Sequence, residues 1–142
     1  FRVFTVNAGR NQGIDVDMPV ICADGLVGRV TEVGATWSKV TAVIDAETSV
    51  PVMVERTRDN CMVRGVLNTV DSEAGMPRDR TDLVPGDTVI TSGIGGIYPK
   101  GIKIGSVREV LTSDGEANAI ISPSVDFVHI EEVFIITGNG EG

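Results

Sequence analysis

The chain has 142 residues, 42% apolar and 23% charged, a balance that suits a folded domain rather than a disordered segment. Twelve Lys and Arg against twenty Asp and Glu leave a net charge of −8. No basic face is therefore on hand to displace counterions from nucleic acid, and an anionic membrane surface would repel the domain. The longest uninterrupted apolar run, Val133–Ile136, falls far short of a bilayer span.

Seventeen glycines, six prolines and abundant Val, Ile and Thr point to strands and turns. Phe1–Val6 alternates as a strand and enters a loop at 7–13. Met18–Ala23 is the next strand, and Asp24-Gly25 makes a two-residue turn, because both residues tolerate positive φ. Leu26–Val33 returns, 34–38 is a loop, and Lys39–Ile44 places Val40, Ala42 and Ile44 on one face. Val50, Val52 and Val54 alternate next, with Pro51 suggesting an edge or a strand start. Arg58-Asp59-Asn60 turns the chain into Cys61–Leu67. Residues 68–82 are polar and acidic and read as the longest loop.

The stretch from Pro85 to Val110 is the most informative. A Pro-Gly-Asp turn leads into the strand Thr88–Thr91, the chain breaks at Gly93, Gly95 and Gly96, and a second strand follows Gly101 with Ile102, Ile104 and Val107. Strand, glycine corner, strand is how a chain bends sharply inside a small barrel. Ser113-Asp114-Gly115 is a further hairpin turn, Ala117–Ile121 a strand, and Val125–Thr137 the last ordered stretch.

Gly28–Val33 and Gly105–Val110 share the pattern G-x-V-x-E-V, each after a turn glycine, Gly25 and Gly101. Two copies of one unit imply two similar barrels. The first forty-odd residues offer about four strands, too few to close a barrel, since small barrels need about five to eight. The first barrel must then borrow strands from the C-terminal segment. The fold class is all-β: a first barrel from residues 1–44 and 118–142, interrupted by a second from 45–117. Each has about six strands.

Little in the sequence promises chemistry. The sole histidine, His129, shares an alternating face with Phe127 and Glu131, where a structural role outweighs a catalytic one. Thr91–Gly96 faintly resembles the nucleophile loop of trypsin-like proteases, yet those enzymes place histidine before serine, and here it comes last. Cys22 and Cys61 fit either buried thiols or a disulfide, and with one histidine they lack metal-ligand spacing. Asp15 and Asp17 share a face on a solvated loop, whereas the adjacent Glu131 and Glu132 point apart. Residues 96–101 lack the Gly-Lys-Ser/Thr of a phosphate loop. No catalytic, metal or cofactor residue is assigned. Binding is favoured instead, with Ile94, Ile97, Tyr98, Pro99 and Trp37 as candidate partner anchors. Tyr98 and Trp37 serve equally as plugs of barrel ends. Gly25, Gly28, Gly93, Gly95, Gly96, Gly101 and Gly105 are the structural glycines.

Three runs carry a family resemblance: Asp24–Val30, Gly86–Gly93 and Ile97–Gly105. Together with Asp126-Phe127 and Glu131–Val133 they make the chain resemble the extracytoplasmic region of rod shape-determining proteins of the MreC family, from Val6 to about Thr137. Tyr98 stands where that family commonly has phenylalanine. The resemblance implies two barrels of chymotrypsin-like architecture without a catalytic triad. It also implies a longer protein, anchored before Phe1 by a transmembrane helix, with its barrels on the periplasmic side of the bacterial inner membrane. The implied role is a non-enzymatic scaffold that self-associates and links MreB, MreD and RodA to a class B penicillin-binding transpeptidase in peptidoglycan synthesis. A trypsin-like hydrolase and a peptidoglycan-binding module are the alternatives.

Overall fold

The computed structural model describes residues 3–45, 48–65, 72–76, 83–113, 116–127, 129–130 and 132–137. Strands β1 (Val3–Val6), β2 (Pro19–Cys22), β3 (Gly25–Val33) and β4 (Ser38–Ala42) come first. They are followed by β5 (Ser49–Val54), β6 (Asn60–Gly65), β7 (Ser72–Met76) and β8 (Thr88–Thr91). The chain ends in β9 (Lys103–Ser113), β10 (Glu116–Pro123) and β11 (Phe134–Ile135). The fold is all-β, and among the described residues the one helical element is a 3-10 turn at Arg10–Gln12.

Two antiparallel sheets result. One has five strands in the order β1-β4-β3-β2-β11, and the other is a closed barrel in the order β10-β7-β6-β5-β8-β9. Alternation explains the interiors. In β4, Ser38, Val40 and Ala42 point inward, and in β5 Val50, Val52 and Val54 do the same. The aliphatic core runs through both sheets, and Leu26, Ile44, Ile104 and Ile121 are among its largest fully buried side chains.

The sheets are two copies of one strand unit. In β3, Val20 of β2 faces Gly28 while Ile21 faces Leu26, which leaves Val27 as a bulge. In β9, Val89 of β8 faces Gly105 while Ile90 faces Lys103, which leaves Ile104 as a bulge. A second bulge follows four residues on in each case, at Thr31 and at Arg108. Gly28 faces Ala42 on the far side, as Gly105 faces Pro123. The turns before β2 and β8 also match. Asp17 N donates to Val30 O at 2.8 Å and Val30 N to Met18 O at 2.9 Å; Gly86 N donates to Val107 O and Val107 N to Asp87 O, both at 2.8 Å. Asp17 and Gly86 both sit at positive φ, 72° and 96°. Thus β11, β1, β2, β3 and β4 correspond to β5, β7, β8, β9 and β10. Only β6, which closes the second barrel, has no counterpart among the described residues.

Several expectations shift. The first sheet has five strands among the described residues, not about six, and is not closed. Pairing of Cys22 with Gly25 makes Ala23-Asp24 the turn, so Gly25 belongs to β3. The presumed loop 68–82 contains β7, whose Ser-Glu-Ala-Gly-Met has poor strand propensity but is paired on both sides, by β6 and β10. A boundary between 117 and 118 would cut β10, which the β9–β10 pairing holds wholly in the barrel as far as Pro123. Phe127 and His129 share no strand face. The chain turns there, with His129 N bonded to Asp126 O at 3.2 Å, leaving Phe127 buried and His129 exposed. Glu131 and Asp114-Gly115 lie outside the described residues, although the pairing of Ser113 with Glu116 brackets the latter.

Gly28 and Gly105 are required by close approach. A Cβ on Gly28 would overlap the Thr41 carbonyl oxygen, and one on Gly105 the Ser122 carbonyl oxygen. Gly28→Ala and Gly105→Ala are each expected to cost about 3 kcal/mol in chemical denaturation, because the obstacle is main chain that cannot swing aside.

Candidate functional site: the cleft between the two sheets

Thr91 organises the glycine corner. Its Oγ1 donates to Pro99 O at 2.5 Å and accepts from Ile102 N at 2.8 Å, while its carbonyl accepts from Gly101 N at 2.9 Å. Residues 92–100 are thereby tied into a loop closed at its base. Gly93, Gly95, Gly96 and Gly101 all take positive φ, between 79° and 97°. Side chains on Gly95 or Gly96 would meet nothing within 4 Å, so those two glycines answer to backbone conformation alone.

The start of β8, the strand that leads into the corner, is held by Asp87, which is buried at 6% exposure. Arg56 grips it as a fork, Nε to Oδ1 at 2.8 Å and a terminal nitrogen to Oδ2 at 3.0 Å, and Val84 N donates to Oδ2 at 3.0 Å. The Arg56 hydrogen bond, helped by that of Val84, holds the Asp87 carboxyl below its ordinary value against the opposing effect of burial.

Between the corner and the first sheet lies a cleft of about 920 Å³. Val16, Asp17, Met18 and Pro19 form one wall, Ser92, Gly93 and Gly96–Lys100 the other, and Ile136 and Thr137 close the side. Tyr98 is 3% exposed and plugs the corner with its ring. Its hydroxyl is buried with no hydrogen-bond partner. Burial pushes the phenol above the ordinary tyrosine value. The Arg29 guanidinium, itself paired with Asp17 at 2.6 Å, is close enough to oppose that rise but does not meet the hydroxyl at hydrogen-bonding geometry. Ile94 and Ile97 are exposed at 55% and 39%, and Pro99 is exposed beside them. Trp37 is also exposed, but in the β3–β4 turn, where its indole lies against Gly34; it does not line the cleft. Of the five candidate anchors, Ile97, Tyr98 and Pro99 come together on one wall. Of the opposite wall, Val16–Pro19 with Arg29 behind it, the sequence singles out only Asp17, and that as half of an acid pair with Asp15. That wall's one signal is the match between Asp17–Cys22 and Gly86–Thr91 that the paired turns reveal.

Ser92 and His129 are apart. Ser92 lines the large cleft, while His129 lines a separate cavity of about 160 Å³ beside Cys22. His129 pairs with Asp126 at 2.9 Å in an exposed turn, and no hydrogen bond links it to Cys22 or to a serine among the described residues. Cys22 and Cys61 are both free thiols. Burial, with the nearby Asp59 carboxylate, pushes Cys61 up to about 11, which makes it unreactive at neutral pH. Among the described residues no group of three His, Cys, Asp or Glu is placed to hold a metal ion.

Fold and site together define a class: a two-sheet β-barrel protein presenting an apolar cleft at the junction of its sheets. The family model described as "Rod shape-determining protein MreC, barrel core" matches residues 1–137, and the chain belongs to that family. The cell shape-determining protein MreC of Caulobacter vibrioides is 33% identical over 134 residues, 87% of this chain and 36% of its own length. That of Listeria monocytogenes is 28% identical across 96% of this chain and 48% of its length. The chain therefore spans between a third and a half of these relatives. Among solved structures, MreC from Pseudomonas aeruginosa superimposes with a TM-score of 0.86 at 28% identity, covering 95% of this chain and 88% of that one. The same fold, at 15% identity and a TM-score of 0.70, occurs in a complex between penicillin-binding protein PBP2 and MreC from Helicobacter pylori, covering 85% of this chain and 76% of that one.

Two outcomes test the corner. Gly95→Val and Gly96→Val should each lower stability by about 1–3 kcal/mol through strain alone, read from the denaturant midpoint. Because the Asp87 pKa is depressed on folding, its stabilisation is full above the unfolded value of 3.8 and is lost as pH falls through the lower folded value. Asp87→Asn should cost about 2 kcal/mol at neutral pH and flatten that acid limb of the stability profile.

Proposed function

We propose that this chain is a non-enzymatic scaffold of the bacterial cell-elongation machinery. Its two sheets are two domains, with the handover after β10, and together they present a surface to a class B penicillin-binding transpeptidase. The observation that carries this reading is the cleft. It is built from both sheets and lined mainly by carbon, with neither the histidine nor any cysteine on its walls. Membership of the MreC family supports the cell-shape role, and the complex of PBP2 with a protein of this fold supports the class of partner. Binding of that kind favours one conformation of the synthase by differential affinity rather than by chemistry.

Within this proposal the domain works on the periplasmic side of the inner membrane, self-associates, and acts with MreD, RodA and MreB. Among the described residues no helix is long and apolar enough to cross a membrane. The test is capture of the purified extracytoplasmic part of the transpeptidase by this domain, with mass in solution followed across concentration. Saturable capture and a concentration-dependent mass are expected. Absence of both, or labelling of Ser92 by a serine-directed active-site probe, would overturn the proposal.

A further inference from the structure

The first sheet stops one strand short of the second. In the closed barrel, β6 lies between β5 and β7 and is antiparallel to both. The corresponding place in the first sheet, between β11 and β1, is open. Among the described residues β11 pairs only with β2, and β1 only with β4. The four antiparallel pairings that lead from β1 to β11 leave those two strands running the same way, so one strand can be antiparallel to both. Strand β11 also turns main chain toward the opening. Ile136 N bonds to Pro19 O at 2.8 Å, so by alternation the amide and carbonyl of Ile135 point away from β2.

The core is thin at the same place. In β5, the counterpart of β11, inward-facing Val50, Val52 and Val54 are fully buried. Ile135 of β11 and inward-facing Phe4 and Val6 of β1 are only half-buried, although their cross-strand neighbours Val20, Val40 and Ser38 are wholly enclosed. One added strand would satisfy both the main chain and the apolar side chains at that opening.

Chain order says which strand. The barrel runs β5, β6, β7, β8, β9, β10, and β1–β4 keep the order of β7–β10 while β11 comes last. A counterpart of β6 therefore leads into β1 as β6 leads into β7, from upstream of Phe1. Residues 138–142, Gly-Asn-Gly-Glu-Gly, follow β11 but carry no apolar side chain to set beside Ile135. An edge strand of a second copy has one free side, so it can cover β1 or β11 but not both. A strand joined to β1 by a short turn also pairs at little cost in loop entropy.

We infer that the residues just upstream of Phe1 in the whole protein form a strand that enters β1 through a hairpin, lies between β1 and β11 antiparallel to both, and closes the first sheet into a barrel. About five or six residues suffice, with apolar side chains alternating inward. Val63 supplies such a side chain in β6. The segment that joins the domain to the rest of the protein is thus part of its first sheet and not a free tether. This inference stands on strand geometry and is independent of the scaffold reading.

The test compares amide hydrogen exchange in the chain from Phe1 with that in a longer chain bearing the natural upstream residues, both as single chains in solution. In the longer chain, the Ile135 amide and the β1 amides that point away from β4 should exchange at least about tenfold more slowly, and the melting midpoint should rise. Equal exchange in the two chains, or slowing on β1 without β11, would overturn the inference. So would slowing in the shorter chain that grows with concentration, which places a second copy at the edges. Slowing that requires added transpeptidase would overturn it too, by placing a partner there.

Discussion

Everything in this molecule depends on main chain passing close to main chain at two glycines. At Gly28 and Gly105 a carbonyl of the neighbouring strand occupies the space where a side chain would stand, and a bulge lies immediately before each glycine. A bulge adds a residue and a bend, and a missing Cβ lets the bent strand stay paired on both sides. Strands β3 and β9 can therefore curl far enough for their sheets to wrap a core made almost wholly of Val, Ile, Leu and Ala. The same device used twice gives two sheets of matching register. Their junction is fixed by a third close approach, where a Cβ on Gly25 would overlap the Lys103 carbonyl oxygen and the Ser124 hydroxyl.

That junction turns packing into function. The cleft has one wall from each sheet, so its width is set by how the sheets dock and not by either alone. The wall with Tyr98 is stiff for local reasons: Thr91 ties the loop at its base, glycines hold its left-handed turns, and buried Asp87, paired with exposed Arg56, fixes the start of β8. A preformed surface loses little conformational entropy on binding.

Much of this was legible in the residues themselves. The glycine corner marks a bend because few other residues tolerate those backbone angles, and the repeated G-x-V-x-E-V marks the two matching bulged strands. What escaped the sequence depends on partners far along the chain. Strand β7 exists because β6 and β10 flank it, not because Ser72–Met76 favours extension. Phe127 alternates with His129 as though in a strand, yet Asp126 turns the chain and sends one inward and the other out. The role of Arg29 and its partner Asp17 at the cleft required the docking of two sheets, which no local pattern encodes. Asp17 is instructive: it holds a left-handed position that Gly86 fills in the other copy, and so it hides the kinship of the two turns.

The most direct measurement of the central claim is amide hydrogen exchange, taken together with transpeptidase capture, on Gly25→Ala. If docking of the sheets builds the binding surface, each ladder should keep its own protection, the amides around Lys103 and Ser124 should lose theirs, and capture should fall away. Lost protection at the junction with capture intact would show that the two sheets need not be held together for this domain to work.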